Sequence, residues 1–398
     1  MTLHRIAEPP AAAKRGFALW ALGFRPFYLG GALFAALAML VWVSELHGHP
    51  LPALNPWLPG MLWHAHEMIF GFAAAIVVGF LLTAVRAWTA VTPAEGKSLA
   101  ALWCLWLAGR VAVAYGSPWI AIPLDVAFLP VCALVLLRVL LPAKNRHNVF
   151  LPIALSLLAV TNLVFLLSAA SGHVDWALRS AYVAVGFIVL FVTIIGGRII
   201  PSFTVNAVPG HEVRRWQFVE SSIVPLTLLP FVLDGFGVTG PVLAVCAAVA
   251  GCLHLLRFAG WRPWRVGNRP ILAILHIAYG WITLGFVMLA LAAVGVLDHS
   301  LAIHAFTVGV IGGAIIAMIT RTARGHTGRP LVAGRLEVAC YALIVLAAVV
   351  RVLLPTVAPQ QTAVALDLSA TLWCIAFALY FARYVSWLTQ PRIDGKDG

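Results

Sequence analysis

Long apolar runs separated by short polar segments fill this sequence. A helix needs roughly 20 mostly apolar residues to cross the hydrocarbon core of a bilayer, and runs of that length recur from Leu19 to near the C-terminus. Boundaries set by proline, glycine and charged residues predict an all-α polytopic membrane protein with about 12 transmembrane helices. The predicted spans are residues 19–43, 62–85, 98–115, 119–141, 149–170, 177–200, 219–235, 239–259, 271–295, 301–320, 332–354 and 364–388.

The same pattern predicts the domain organisation. Residues 1–18 form a tail, residues 19–388 form a single 12-helix transmembrane domain, and residues 389–398 form a second tail. We interpret the first apolar run as a retained span rather than a signal peptide, because no small-residue cleavage site follows it.

Composition agrees with a chain whose solvent is lipid. With 62% hydrophobic residues, 10% charged residues and a mean hydropathy of +0.97, the protein is too apolar to be covered by a water-facing shell. The net charge of +12 comes from short basic clusters between apolar runs, so we expect no nucleic-acid partner. The six cysteines lie in apolar runs without a C-x-x-C pair, and we expect neither disulfides nor a thiolate metal site.

The basic residues are distributed asymmetrically between the two sides of the predicted bundle. If the N-terminus lies inside, 23 of the 26 lysines and arginines fall on or beside cytoplasmic segments. The exceptions are Arg110, Arg179 and Arg351. This asymmetry predicts an even number of spans with the N- and C-termini cytoplasmic, and the basic clusters suit contact with anionic membrane lipid.

Histidines within the predicted spans are the first candidates for chemistry, because ionisable residues are expensive in hydrocarbon. The run Trp63-His64-Ala65-His66-Glu67-Met68 opens the second span. His64 and Glu67 share a helix face, whereas His66 points about 200° around from His64. The two imidazoles therefore serve different neighbours unless the first turn is irregular. His304 begins the tenth span at about the same depth.

These residues indicate a candidate site at the outer face. His64, His66 and His304 are the candidate ligands, and Glu67 is a further ligand or holds a histidine tautomer. The alternative is an interfacial helix start with solvated histidines, since two histidines two residues apart are a weak metal signal. Spacing alone leaves both open.

A second histidine pair is predicted near the inner face. His254 lies in the eighth span and His276 in the ninth, each roughly 8–9 Å inside the inner boundary at the helical rise of about 1.5 Å per residue. They could form a bis-imidazole haem clamp or a hydrogen-bonded structural pair, and the sequence favours neither.

Two polar or irregular segments are predicted at the cytoplasmic side. After the tenth span comes a basic turn with Arg321, Arg324 and His326, which could pair with haem propionates or phosphate, or anchor to lipid headgroups. At the end of the sixth span, Pro201 follows two glycines, and we expect the helix to break there.

Several of these segments together resemble the NnrS family. The family usually has a glycine after the Trp-Thr pair, where this chain has Ala90. The matching segments are Phe24-Arg25-Pro26-Phe27, Trp63-His64-Ala65-His66-Glu67-Met68, Gly79-Phe80-Leu81-Leu82-Thr83-Ala84, Trp88-Thr89, Gly197-Arg198-Ile199-Ile200-Pro201-Ser202-Phe203-Thr204, His276, His304 and Gly325-His326-Thr327-Gly328-Arg329.

The resemblance implies a haem-binding protein of the bacterial inner membrane that also binds copper and takes part in the nitric oxide response, often in denitrifying bacteria. We expect haem b as its cofactor. The resemblance does not identify ligands, so the assignments of His64, His66 and His304 to an outer site, and of His254 and His276 to an inner one, remain hypotheses from depth.

Three functions follow as alternatives. The first is an oxidoreductase or binding protein that reacts with nitric oxide within the membrane and takes electrons from a quinol or cytochrome. The second is a membrane transporter, against which the scarcity of acidic residues within the spans counts. The third is a haem-based nitric oxide sensor without turnover. Cofactor content separates the second from the others, and turnover with an electron donor separates the first from the third.

Overall fold

A computed structural model describes residues 16–49 and 57–396 of the chain. Within those residues there are 12 helices long and apolar enough to cross a membrane, and no strand, so the predicted all-α polytopic fold is confirmed. Residues 1–15 of the predicted first tail and residues 397–398 of the second lie outside the described residues. The helices are α1 Phe24–Leu46, α2 Gly60–Thr89, α3 Gly96–Tyr115, α4 Pro118–Leu140, α5 Arg146–Ala170, α6 Val174–Ala207, α7 Gln217–Gly235, α8 Pro241–Arg265, α9 Pro270–Ala293, α10 His299–His326, α11 Arg335–Val357 and α12 Pro359–Thr389.

Local sequence signals set several helix starts. Pro118, Pro241 and Pro270 each stand in the first turn of a helix, where the missing N–H removes no helical hydrogen bond. α10 starts differently, because the Asp298 carboxylate accepts a hydrogen bond of 2.7 Å from the backbone N–H of Ser300. Proline residues and a side-chain cap therefore set where these helices start, while the length of each apolar run sets how far the helix extends.

Consecutive helices pack against each other, and α12 packs against both α11 and α1. Because the connections are short, neighbours in the chain run antiparallel, which places both chain ends at one end of the bundle. We call this the terminal end, and there the N–H of Ala18 donates to the carbonyl of Thr389 at 2.8 Å. We call the other the opposite end. Helices α2, α6, α9 and α10 are the most buried and form the centre of the bundle.

Two of the central helices widen into π-helical turns. The π segment of α2 is Glu67–Ala73, directly after His66, and that of α10 is Ala305–Gly312, directly after His304. A π turn shifts the helical register and is frequently found at functional sites. Both irregular segments therefore adjoin histidines that the sequence singled out.

The predicted break at Pro201 is wrong. α6 continues through Pro201 to Ala207, beyond the predicted end at residue 200. The carbonyl that the proline ring would crowd belongs to Gly197, four residues earlier. The Arg257 guanidinium packs against Gly197 and donates to the carbonyl of Thr193 at 2.9 Å. The carbonyl that accepts from Arg257 belongs to Thr193, one turn before Gly197, and a membrane-spanning helix tolerates an internal proline where neighbouring helices pack against it.

Candidate functional site

A cavity of about 450 Å³ lies at the opposite end of the bundle, among the central helices α2, α6 and α10. We call it the histidine cavity, because His64, His299 and His304 line it. Helices α1, α11 and α12 complete its wall with Met39, Trp42, Arg351, Ser369 and Trp373.

His304 is held in a defined orientation. Its Nδ1–H donates to the carbonyl of Ser300 at 2.7 Å, which leaves Nε2 as the acceptor nitrogen. Arg351 Nη2 lies 3.3 Å from this Nε2 and 3.3 Å from Ser300 Oγ. A backbone carbonyl on one ring nitrogen is the usual way that a protein orients a histidine whose other nitrogen binds a metal.

His64 stands across from this group on α2. Its ring stacks on Trp42 with centroids 4.9 Å apart and planes 21° apart. Its Nδ1 is buried and has no hydrogen-bond partner among the described residues. A buried ring nitrogen without a partner is uncommon, because burial without a hydrogen bond is unfavourable. His64 therefore has a ring nitrogen free for a ligand.

Three methionines also line the histidine cavity, Met39 from α1 and Met61 and Met68 from α2. Thioether sulfur is a soft ligand that together with imidazole suits Cu(I). The sequence does not single out these methionines, because a methionine in an apolar run is typical of helix packing.

The remaining cavity histidine is already paired. His299 Nε2 lies 2.8 Å from the Asp234 carboxylate, and its ring packs against Tyr182 with centroids 4.7 Å apart. This contact joins α10 to α6 and α7 at the mouth of the cavity. His299 therefore acts as a bridge between helices.

His66 lies outside the histidine cavity, in a buried polar network between α2, α3, α4 and α5. His66 Nδ1 is 2.8 Å from Glu67 Oε1, and its Nε2 is 2.9 Å from Asn162 Oδ1. Arg110 donates to Glu67 Oε2 at 2.7 Å and also pairs with Asp125. Asn162 Nδ2 donates to the second oxygen of Asp125 at 2.7 Å. The structure thus separates His66 and Glu67 from His64 and His304, with the difference in direction that the helical period predicts.

His254 and His276 contact different threonines and do not share a site. His254 Nε2 is 2.9 Å from Thr227 Oγ1 and its Nδ1 is 3.0 Å from Tyr279 Oη, so both of its ring nitrogens are occupied. His276 Nε2 is 3.0 Å from Thr204 Oγ1, and its buried Nδ1 has no partner among the described residues. The two imidazoles make separate contacts, and only His276 keeps a free ring nitrogen.

The basic turn lies at the terminal end, separated from the histidine cavity by the length of α10. Arg321 lies over the Phe203 ring at 3.8 Å. Arg324 Nε donates to the carbonyl of Val332 at 2.9 Å. The His326 ring packs against Phe24 with centroids 5.4 Å apart. None of the three reaches the residues of the histidine cavity.

The resemblance segments at the terminal end fasten the chain ends together. Arg25 donates to the carbonyls of Leu388 and Gln390 at 2.9 and 2.8 Å. The N–H of Ile393 donates to the carbonyl of Thr327 at 3.2 Å. Beyond α12, the Arg392 guanidinium hydrogen-bonded to Asp394 lowers the pKa of that carboxyl. These contacts give Arg25 and the turn around Thr327 a structural role.

No group of three or more histidine, cysteine, aspartate or glutamate side chains within the described chain is arranged to hold a metal ion. The histidine cavity instead offers two imidazoles on different helices with thioethers nearby. That arrangement suits a ligand large enough to span the cavity, or a metal that recruits both imidazoles as it binds.

Comparison with known proteins gives one result for nearly the whole chain. The family model described as NnrS protein matches residues 18–392. No curated protein shows a significant match.

Proposed function

The chain belongs to the NnrS family, whose members are membrane proteins of the nitric oxide response, and on that premise we propose that it binds haem b in the histidine cavity and there binds or reduces nitric oxide. One observation carries the proposal. His64 and His304 line one cavity from two central helices that each contain a π segment; His64 Nδ1 has no partner among the described residues, and His304 Nε2 faces the Arg351 guanidinium.

The size and lining of the cavity support this ligand. Small-molecule and cofactor sites occupy about 300–1,000 Å³ and are mostly apolar with a few polar groups, and the histidine cavity holds about 450 Å³. Phe72 and Trp373 supply flat apolar surface. Bound haem would supply an iron position for a small ligand and a one-electron centre.

The polar side chains have distinct tasks in this proposal. His64 and His304 would hold the iron, and Ser300 fixes the tautomer of His304 through its carbonyl. Arg351 would leave His304 Nε2 and pair with a haem carboxylate, because a guanidinium forms strong paired hydrogen bonds with that group. Nitric oxide binding to such a haem would require that His64 or His304 release the iron.

Copper is the second proposed cofactor. Met39, Met61 and Met68 line the same cavity as His64 and His304, and this donor set suits Cu(I). We propose that copper binds in the same cavity in place of haem, because His64 and His304 cannot hold both metals at once. Reduction of nitric oxide would also require an electron donor, for which a quinol or a cytochrome is suitable in a bacterial inner membrane.

The test is cofactor loading of matched histidine variants. We expect the full-length protein, expressed with adequate haem and purified in detergent, to show a Soret band that shifts when nitric oxide is added. His64→Ala and His304→Ala should each lose most of the band, whereas His173→Ala, in an exposed loop, should retain it. Metal analysis of the same samples measures copper.

The alternatives predict different results. Full loading of both cavity variants would overturn the assignment to this cavity. Protein that stays free of haem and copper would favour a transporter. A nitric oxide-sensitive spectrum without turnover in the presence of an electron donor would favour a sensor.

A further inference from the structure

An apolar chamber of about 90 Å³ adjoins the histidine cavity, closer to the terminal end. Its wall is aliphatic and aromatic, with the tyrosines Tyr28 and Tyr279 as the polar exceptions. None of the described residues that line it is charged. A cavity of this composition stays dry and accepts small apolar ligands.

The chamber and the histidine cavity are stacked along the same three helices. On α2 the lining passes from Ala73 in the cavity to Ile76 in the chamber. On α6 and α10 a single residue, Ile188 and Ile311 respectively, lines both spaces. The two isoleucines therefore form the partition between them.

The chamber also lies where two central helices diverge. The contacts between α2 and α6 are concentrated in the part of α2 up to Ala73, and the chamber begins beyond that point. Phe80, Ile199 and Met318 line it and remain partly exposed. Residues that face both a cavity and the surface of a membrane-spanning bundle suit entry from the hydrocarbon.

We propose that the apolar chamber is a docking site for a small uncharged gas such as nitric oxide, and that it delivers the gas past Ile188 and Ile311 to the histidine cavity. The delivery step rests on the proposed function of that cavity. A neutral diatomic molecule dissolves in hydrocarbon and needs no hydrogen-bonding group, whereas an ion would find no charged partner among the residues that line the chamber.

Xenon tests the docking site without any cofactor. We expect xenon-129 NMR of the protein in nanodiscs to show a saturable bound population. Ala314→Phe, which fills the chamber, should abolish it, whereas Ala342→Phe, the same change at an exposed position of α11, should not. Gly196→Leu is a second filling variant, because a Cβ at Gly196 comes no closer than 3.4 Å to Ile200. Saturable xenon binding that survives both filling variants, or that is never observed, overturns the docking site.

Nitric oxide association kinetics test the delivery step. In haem-loaded, reduced protein we expect Ala314→Phe and Ile311→Phe to slow association at least fivefold, Ile311→Ala to accelerate it, and Ala342→Phe to leave it unchanged. Unchanged rates in loaded filling variants would overturn delivery while leaving haem binding intact. Failure of the wild-type protein to load haem would instead overturn the proposed function, and the xenon measurement would still decide the docking site.

Discussion

Arg351 and His304 face each other in the histidine cavity, with Arg351 Nη2 3.3 Å from His304 Nε2. Since Nδ1 of His304 donates to the Ser300 carbonyl, Nε2 is the nitrogen that a metal would bind. The guanidinium therefore occupies the position that a metal needs, and its positive charge opposes a bare cation there. Haem differs from a bare cation because its carboxylates give the guanidinium a new partner.

The substitution Arg351→Gln should move the affinities for haem and copper in opposite directions. We expect haem to bind about tenfold more weakly, since a hydrogen bond to a charged group contributes about 1.5–3 kcal/mol. Cu(I) should bind severalfold more tightly, because no guanidinium has to be displaced. Soret titration and competition with a chromophoric copper chelator measure the two affinities, and Arg179→Gln is the control. Equal losses of the two affinities would contradict the proposal that Arg351 favours haem over copper.

Much of the fold could be predicted from the sequence, because hydropathy and basic residues report directly on length and boundaries. The different directions of His64 and His66 also followed from the helical period. The polar network around His66 could not be predicted, because its residues come from separate helices and meet only when those helices pack. Three of them are Arg110, Asp125 and Asn162. The sequence does carry one signal for this network, because Arg110 lies shortly before the span that contains Asp125, and an acidic residue within a span requires a partner.

The histidine cavity was predictable only in part, because its lining also comes from helices that are distant in the sequence. Depth placed His64 and His304 at one level, but depth carries no information about Arg351, which is contributed by α11. Equal depth also suggested that His254 and His276 share a site, whereas Thr227 and Thr204 engage them separately. The π segments Glu67–Ala73 and Ala305–Gly312 have no simple sequence signature.

Ala90 ends α2 in a conformation that favours glycine. Its φ of 60° lies in the left-handed region, and its N–H donates to the Arg86 carbonyl at 2.9 Å. We expect Ala90→Gly to stabilise the protein by about 1 kcal/mol, because it relieves the contact of Cβ with the backbone. Ala342→Gly, in the exposed middle of α11, should destabilise it by about the same amount. Reversible unfolding in mixed micelles would measure both, and a loss of stability in Ala90→Gly would contradict the argument.

The terminal end should face the cytoplasm. Arg324, Arg329 and Arg383 lie around Trp387 at that end, within 5.4, 4.1 and 4.4 Å of its ring. Positive side chains are retained on the cytoplasmic side during insertion. Green fluorescent protein fused after Gly398 should therefore fluoresce, and alkaline phosphatase at the same position should be inactive. Phosphatase inserted at Gly172, in the loop at the opposite end, should be active. The reverse pattern of reporter activity would show that the terminal end faces away from the cytoplasm.

Arg110 should contribute more to the stability of the protein than an arginine outside its buried network. Arg110 pairs with both Glu67 and Asp125, so Arg110→Ala leaves two buried carboxylates without their guanidinium. Removing one partner of a buried ion pair destabilises a protein by about 3–5 kcal/mol. We expect a lower thermal unfolding midpoint in detergent, followed by tryptophan fluorescence, and partial recovery in Arg110→Ala with Asp125→Asn, which removes one carboxylate charge. Arg179→Ala, which loses a stack on Trp176, is the matched control. An Arg110→Ala midpoint equal to that of the control, or no recovery in the double variant, would show that charge balance in this network does not stabilise the fold.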